Sequence, residues 1–269
     1  MTLFASGYPA AAHTFASELD DDVALDGASG HHLSRVRRLR EGEVVTVADG
    51  NGRWRPYTIA RARRGAIDLH ARGELVIEPV LEPGLTVAFA LTKAAKPDLA
   101  VQKLTELGVD RVTPLHARRS VPRWGNERAG AAVARLRRVA VEAAAQCRRS
   151  RLPEVDAPQP VSVLHGHPGI VVADPSGDDV ARIPAPPTGE WVLVVGPEGG
   201  FDPDELAFLW SPSQAPAPAP ADGEAAASAA LEAPFRLRLG PHVLRAETAA
   251  IAGASVLTTR RVIHCGHFR

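Results

Sequence analysis

Cysteine is nearly absent from this chain: Cys147 and Cys265 are the only two among 269 residues. That scarcity excludes a disulfide-stapled fold and a cysteine-built zinc site, and predicts a reducing, cytoplasmic setting. Long apolar runs are missing too. A run such as Leu85 to Leu91 falls far below the roughly 20 residues a membrane span needs, and no basic residue precedes the apolar positions at the N-terminus as it would in a secretory leader. No Gly-x-Ser-x-Gly elbow occurs, nor a Gly-Lys-Ser/Thr phosphate loop, nor a Gly-x-Gly-x-x-Gly fingerprint. These absences argue against a serine hydrolase and against a nucleotide- or dinucleotide-dependent enzyme. His31, His32, His70, His116, His165, His167, His242, His264 and His267 stand mostly in loops or tails, and His165-Gly166-His167 has no third metal ligand nearby in the sequence. Net charge is absent as well, with 31 basic and 31 acidic side chains, which rules out a uniformly basic nucleic-acid coat.

The zero conceals segregation. Counted along the chain, residues 1–30 carry −5, 31–73 carry +6, 74–92 carry −3, 93–151 carry +9, 154–234 carry −12 and 235–269 carry +5. Two basic blocks against one acidic block fit a protein with one polyanion-binding face better than an evenly solvated surface. Lysine is confined to Lys93, Lys96 and Lys103, against 28 arginines. Phosphate neutralisation by such blocks implies an affinity that falls steeply with salt.

Between about 44 and 77, short alternating runs (VVTVAD, WRPYTIARA, AIDLHARGELVI) with turns at Asp49 to Gly52 and Arg64-Gly65 predict a small antiparallel barrel or sheet. Glu82-Pro83-Gly84 then punctuates the chain and strands begin to alternate with helices, which places a domain boundary there: 1–82 and 83–269. The second part reads as a strand at 85–91, a helix from about Asp98 to Leu107, a strand at 111–115, and a long helix from Asn126 to about Arg149 with Val133, Leu136, Ala140, Ala143 and Cys147 on one face. Buried-strand runs follow at 170–174, 191–196 and 235–240, predicting an α/β domain with a mostly parallel sheet of about five strands. Asp202-Pro203-Asp204-Glu205 is a capping box with proline at the first helical position. Residues 211–234, nearly all Ala, Pro, Ser and acidic, read as a flexible insertion.

Three turns stand where such a sheet would place a ligand. Gly196-Pro197-Glu198-Gly199-Gly200 follows a strand and opens a helix; Leu239 to Ala250 repeats the arrangement; Ala173-Asp174-Pro175-Ser176-Gly177 supplies a third wall. Glycine lets a ligand approach backbone amides closely.

Taken with these turns, the set Lys93, Lys96, Gln102, Lys103, Thr105, Glu106, Leu107, Gly108, Val109, Pro114 and Leu115, then Gln146 to Glu154, then GPEGGF, then LGPHVLRAETA, resembles the RsmE family over about residues 31–256. Its members are 16S ribosomal RNA uracil-N3 methyltransferases of the SPOUT superfamily. The resemblance implies an N-terminal PUA-like β-barrel for RNA and a C-terminal α/β domain. That domain would end in a trefoil knot, bind S-adenosylmethionine and form a homodimer, with the small ribosomal subunit as substrate. It further implies cofactor contacts at Ala173, Asp174, Pro175, Gly196, Pro197, Glu198, Gly199, Gly200, Leu239, Gly240, Val243, Leu244 and Arg245. RNA contacts are expected at Arg35, Arg37, Arg38, Lys93, Lys96, Lys103, Arg118, Arg119 and Arg123. Two positions depart from the family pattern. Val36-Arg37-Arg38 stands for Val-Leu-Arg, and Ala145-Gln146-Cys147-Arg148-Arg149 for Glu-Gln-Cys/Ser-Gly-Arg, which removes a carboxylate and a glycine beside Arg149.

Uracil N3 holds its proton with a pKa of about 9, so presenting the anion at pH 7 costs roughly 3 kcal/mol. Arg149 is the candidate to stabilise the uridinate, and Glu198 or Glu247 the candidate to accept the proton. Two other readings remain at this level: Glu198 capping loop amides, and Glu247 orienting Arg245. A non-catalytic RNA-binding assembly factor that keeps the fold is the alternative for the whole chain.

Overall fold

Period-two alternation of apolar side chains builds the first part of the chain. The structure, a computed structural model, describes residues 4–91, 96–120, 126–186, 189–210 and 234–265, without the side chains of 28, 35, 36, 126–128 and 262–265. It divides into two compact units, Met1–Val80 with Ala140–Leu152, and Leu81–Val139 with Pro153–Arg269.

The first unit contains β1 (Ala12–Phe15), β2 (Asp22–Leu25), the short α1 (Gly27–His31), β3 (Val44–Ala48), β4 (Arg53–Arg63), β5 (Ala66–Ala71) and β6 (Val76–Ile77). Its strand order is β1-β3-β4-β5-β2, with β6 beside β4. The β3–β4–β5 meander is antiparallel as the turns predicted, whereas β1 joins β3 in parallel. Val45, Val47, Tyr57, Ile59, Ile67 and Leu69 point to one side and are buried together; Trp54 packs with Ala5 and Ala48 in a smaller cluster. Each such side chain contributes roughly 1.5–3 kcal/mol when fully buried.

The second unit contains β7 (Gly84–Ala90), α2 (Pro97–Glu106), β8 (Arg111–His116), the first part of α3 (Asn126–Cys147), β9 (Glu154–Val155), β10 (Gln159–Pro160), β11 (Ile170–Asp178), β12 (Glu190–Val195), α4 (Pro203–Trp210), β13 (Phe235–Leu237) and α5 (Ala246–Cys265). Among the described residues, seven strands form one sheet in the order β10-β8-β7-β12-β11-β13, with β9 beside β8, and every pairing is parallel. Both faces are covered, which is why β7 and β12 read as continuous apolar runs rather than alternating ones. Ala88, Val192 and Val194 face Leu209 of α4 in one buried cluster. On the other face α5 packs on β7 and β12. The approach of α5 is close: a Cβ at Gly253 would stand 2.7 Å from Leu193 Cδ2.

Local signals explain the ends of the elements. Pro97 occupies the start of α2 and Gly108, with φ +86°, lies just beyond its end. The capping box at α4 forms as expected, Asp202 N donating to Glu205 Oε2 at 2.9 Å. Residues 140–152, which the sequence reading leaves in the second domain, group with the first unit. The reason is electrostatic: two arginines after α3 donate to its backbone carbonyls. Arg148 reaches Tyr8 O (3.1 Å) and Ala10 O (2.6 Å), and Arg151 reaches Asn51 O (2.6 Å) and Glu78 O (2.8 Å). Arg148 adopts φ +58°, the left-handed conformation in which glycine is usual at a helix end. This is the very position at which the family pattern has glycine. Among the described residues, no helix is long and apolar enough to cross a membrane.

Candidate functional site

The three turns singled out by sequence fall at the carboxyl ends of three neighbouring parallel strands, β12, β11 and β13. Open parallel sheets bind their ligands just there. The third wall is a bulge rather than a loop: Ala173 and Asp178 both pair with Leu237, so residues 174–177 leave the ladder between them. Asp174 Oδ1 accepts from Ser176 N at 2.8 Å and from Ser176 Oγ at 2.7 Å, which shapes the bulge. Gly177 is required sterically, since a Cβ there would lie 2.7 Å from the carbonyl carbon of Arg236.

After β12, Gly196 meets the Phe201 ring, which would stand 3.1 Å from a Cβ, and Gly200 adopts φ +70° while its N–H donates to Pro197 O at 2.8 Å. Glu198, Gly199 and Gly200 are exposed; Pro197 is buried. After β13, Leu239, Gly240 and Leu244 are half-buried, while Val243, 75% exposed, and Arg245 face outward.

Of the two candidate carboxylates, Glu247 is buried in the first turn of α5, and its Oε2 accepts no hydrogen bond among the described residues. Burying such an acceptor without a partner costs about 1–3 kcal/mol, so an unmet acceptor beside a ligand-shaped edge marks a place where a ligand donor belongs. The glycine turns and the bulge fit a heterocyclic cofactor approached by backbone, and the orphaned oxygen leaves an acceptor for a further polar ligand group. Among the described residues no group of three or more His, Cys, Asp or Glu side chains could hold a metal ion.

Two side chains the sequence reading missed brace this edge. Arg236 on β13 lies over the Trp210 ring, 4.4 Å from its centroid, and its Nη1 is 3.8 Å from Asp174 Oδ2. It thereby links the bulge, β13 and the end of α4. Contacts between residues so far apart in sequence leave no local pattern.

The expected RNA contacts divide. Arg37, Arg38 and Lys96 are exposed; Arg37 donates to Ala11 O at 2.8 Å, and Arg38 takes φ +52°. Lys103 pairs with Glu106 at 2.8 Å. Arg118 pairs with Asp202 at 2.9 Å and Asp204 at 2.6 Å, and Arg119 donates to Gly199 O at 2.8 Å. Lys93, Arg123 and the side chain of Arg35 lie outside the described residues.

Arg149 belongs to the first unit, whereas Glu198 and Glu247 belong to the second. The segment that carries Arg149 is fixed on both sides, by Arg148 and Arg151 as above and by Leu152 N donating to Gly50 O at 2.8 Å. Beneath it lies His13, also missed by the sequence reading, buried with its Nδ1 2.8 Å from Thr46 Oγ1. Burial lowers the His13 pKa from 6.5 to about 4, and the nearby Arg148 charge adds to the shift. Burial has the opposite effect on the Glu78 carboxyl, raising its pKa although its Oε1 accepts from the Ala5 amide at 2.7 Å. Because unfolded His13 binds a proton that the folded form refuses, its contribution is full above pH 6.5 and is lost as pH falls toward 4. Urea unfolding at pH 7 and pH 5 should therefore show His13→Gln weakening the acid sensitivity of the wild type by roughly 2 kcal/mol. Equal acid sensitivity in the two proteins would remove this account of His13.

With the geometry in place, comparison with known proteins defines the class. Residues 81–216 match the RNA methyltransferase domain, and residues 25–70 match the RNA methyltransferase PUA domain. Ribosomal RNA small subunit methyltransferase E of Mycobacterium tuberculosis is 35% identical over 250 residues, 88% of this chain and 87% of that protein. The chain belongs to the ribosomal RNA small subunit methyltransferase E family. Its fold is shared with the family member from Neisseria gonorrhoeae solved bound to S-adenosyl methionine, at TM-score 0.72 and 24% identity over 93% of this chain and 97% of that one. A Legionella pneumophila protein solved with bound cofactor SAM gives TM-score 0.74 and 23% identity, covering 92% and 97%.

Proposed function

We propose that this protein transfers a methyl group from S-adenosylmethionine to N3 of a specific uridine in 16S ribosomal RNA of the small subunit. The observation that carries the reading is the alignment of three ligand-shaped turns on β11, β12 and β13 in a chain of this family. Residues 1–82 act as a PUA-like barrel that grips RNA. Residues 83–269 form the reacting domain, closed by a trefoil knot and paired with a second copy in a cytoplasmic homodimer.

When bound, S-adenosylmethionine supplies an electrophilic methyl group on a sulfonium. Ala173, Asp174, Pro175, Gly196 to Gly200, Leu239, Gly240 and Val243 to Arg245 hold it. Their glycines and backbone groups supply the edge-on hydrogen bonds that adenine requires. Arg149 holds the uracil oxygen on which negative charge develops, and so bears much of the roughly 3 kcal/mol needed to expose N3 as an anion. Glu247 takes the N3 proton, favoured over exposed Glu198 by its buried and unmatched Oε2. The basic blocks, including Arg37, Arg38, Lys96 and Lys103, meet the phosphate backbone.

The test is methyl transfer to small subunits from cells that lack this modification, with the product nucleoside identified by mass spectrometry. The expected product is 3-methyluridine at one position, formed by wild type and by Glu198→Gln but not by Glu247→Gln. RNA binding with no cofactor binding and no methylated product would instead identify a non-catalytic assembly factor.

A further inference from the structure

We infer that Arg119 is a positioning residue for the glycine turn at 196–200, setting that turn in its cofactor-binding shape from the end of β8, two strands from β12 in the sheet. The inference rests on the reading that this turn holds S-adenosylmethionine, and it gives Arg119 a role different from the phosphate contact expected from its charge.

The β8 strand ends in a tight turn, with Ser120 N donating to Ala117 O at 2.9 Å and Ser120 itself buried. That turn projects two arginines toward the same stretch of chain. Arg119 Nη1 donates to Gly199 O at 2.8 Å, and its Cδ lies 3.9 Å from where a Gly199 Cβ would stand, so both its charge and its stem lie against the turn. The preceding residue holds the other end of the same stretch. Arg118 N donates to Glu205 Oε1 at 2.8 Å, and the Arg118 guanidinium meets Asp202 and Asp204. Glu205 is buried and uses its second oxygen on Asp202 N, so the cap of α4 and the turn after β8 form one hydrogen-bonded unit.

Within that frame Gly199 and Gly200 are the residues with the most backbone freedom to lose. Both are exposed, and Gly200 sits at φ +70°. Glycines lose more backbone freedom on ordering than other residues, so a ligand that binds them bears that cost unless the protein has already ordered the turn. A charge-assisted hydrogen bond on the Gly199 carbonyl orders it beforehand. Arg119 does not touch the reacting atoms in this scheme. It acts through the turn.

The test is S-adenosylmethionine affinity measured by calorimetry on the full chain, together with KM for the cofactor, kcat and Tm, for wild type, Arg119→Ala and Arg119→Lys. Arg119→Ala should weaken cofactor binding about tenfold and raise KM to match, with kcat at saturating cofactor and Tm held. Arg119→Lys, which keeps a charged donor within reach of one carbonyl, should recover most of the affinity. Wild-type binding accompanied by undiminished binding in Arg119→Ala would overturn the inference alone. Loss of affinity together with a fall in Tm that Lys does not restore would also overturn it, by assigning Arg119 to general stability. A wild-type chain that binds no S-adenosylmethionine would overturn the cofactor reading and this inference with it.

Discussion

Arg149→Ala is expected to lower kcat for methyl transfer roughly 10²–10³-fold at neutral pH, the size of effect seen when one preorganised donor to a developing anion is removed. Cofactor affinity should not change, because the proposed role of Arg149 is on the uracil and not on the cofactor. The size of the expected loss follows from how the residue is mounted. Its neighbours Arg148 and Arg151 each donate two hydrogen bonds to backbone carbonyls, and Ser150 between them is buried, with its carbonyl accepting from Gly52 N at 3.3 Å. Arg149 N donates to Ala144 O at 2.9 Å. A guanidinium on so fixed a backbone surrenders little further entropy when it meets the uracil oxygen. The diagnostic readout is the pH profile. If Arg149 stabilises the uridinate, the variant's rate should climb with pH well beyond neutrality, as solvent base takes over the work of exposing N3. Full methyl transfer at pH 7 by Arg149→Ala, or a parallel pH profile at reduced rate, would sink the assignment.

How much of this site could be read beforehand depended on whether its cause was local. The parallel sheet, the glycine turns and the α4 cap were legible because each is written in neighbouring residues: apolar runs for doubly covered strands, Gly for close approach, Asp-Pro-Asp-Glu for a helix start. The bulge at 174–177 read as a loop because its strand resumes only at Asp178, in register with a partner far along the chain. The parallel β1 pairing escaped notice because AHTF carries no turn signal tying it to β3. His13, Arg236 and Trp210 escaped for the same reason. Their partners, Thr46, Asp174 and one another, come together only in the folded chain. Arginine was the most misleading residue type. Sequence counts every arginine as one unit of phosphate-binding charge, whereas Arg118, Arg148, Arg151 and Arg236 are engaged with protein carbonyls, carboxylates or an indole ring. The +9 of residues 93–151 is therefore partly structural, and the charge left for RNA is smaller than the segment count implies.

Arg261 is the extreme case, and its removal should have the largest effect on stability. It is 1% exposed, on the later part of α5, and its guanidinium serves three acceptors: Gly108 O at 3.0 Å, Leu81 O at 2.6 Å and Asp110 Oδ2 at 2.7 Å. These lie after α2 and before β7 and β8, so one side chain ties the last helix to the chain entering β7 and to the connection from α2 to β8. Asp110 is bound in turn to β7, its Oδ2 accepting from Leu85 N at 3.0 Å. Breaking a buried ion pair typically costs about 3–5 kcal/mol. The Asp110 side chain is 38% exposed and regains water when its partner is lost, which places the expected cost of Arg261→Met near the lower end, about 3 kcal/mol. At roughly 2–4 °C per kcal/mol for a unit of this size, Tm should fall by about 6–12 °C. Methionine keeps much of the stem's volume, so the loss reports the hydrogen bonds and charge, and Arg261→Ala should cost more through the cavity it leaves. Asp110→Asn should cost only about 1 kcal/mol, since an amide oxygen still accepts from arginine and from Leu85 N. A double-mutant cycle measured by urea unfolding separates the pair from the carbonyl bonds. If Arg261→Met melted within 2 °C of wild type, about the shift of a surface substitution, the guanidinium would be no more than a tolerated buried charge. α5 would then be held by its packing on α2, β7 and β12 and by the Arg260 hydrogen bonds to Val180 O and Ile183 O.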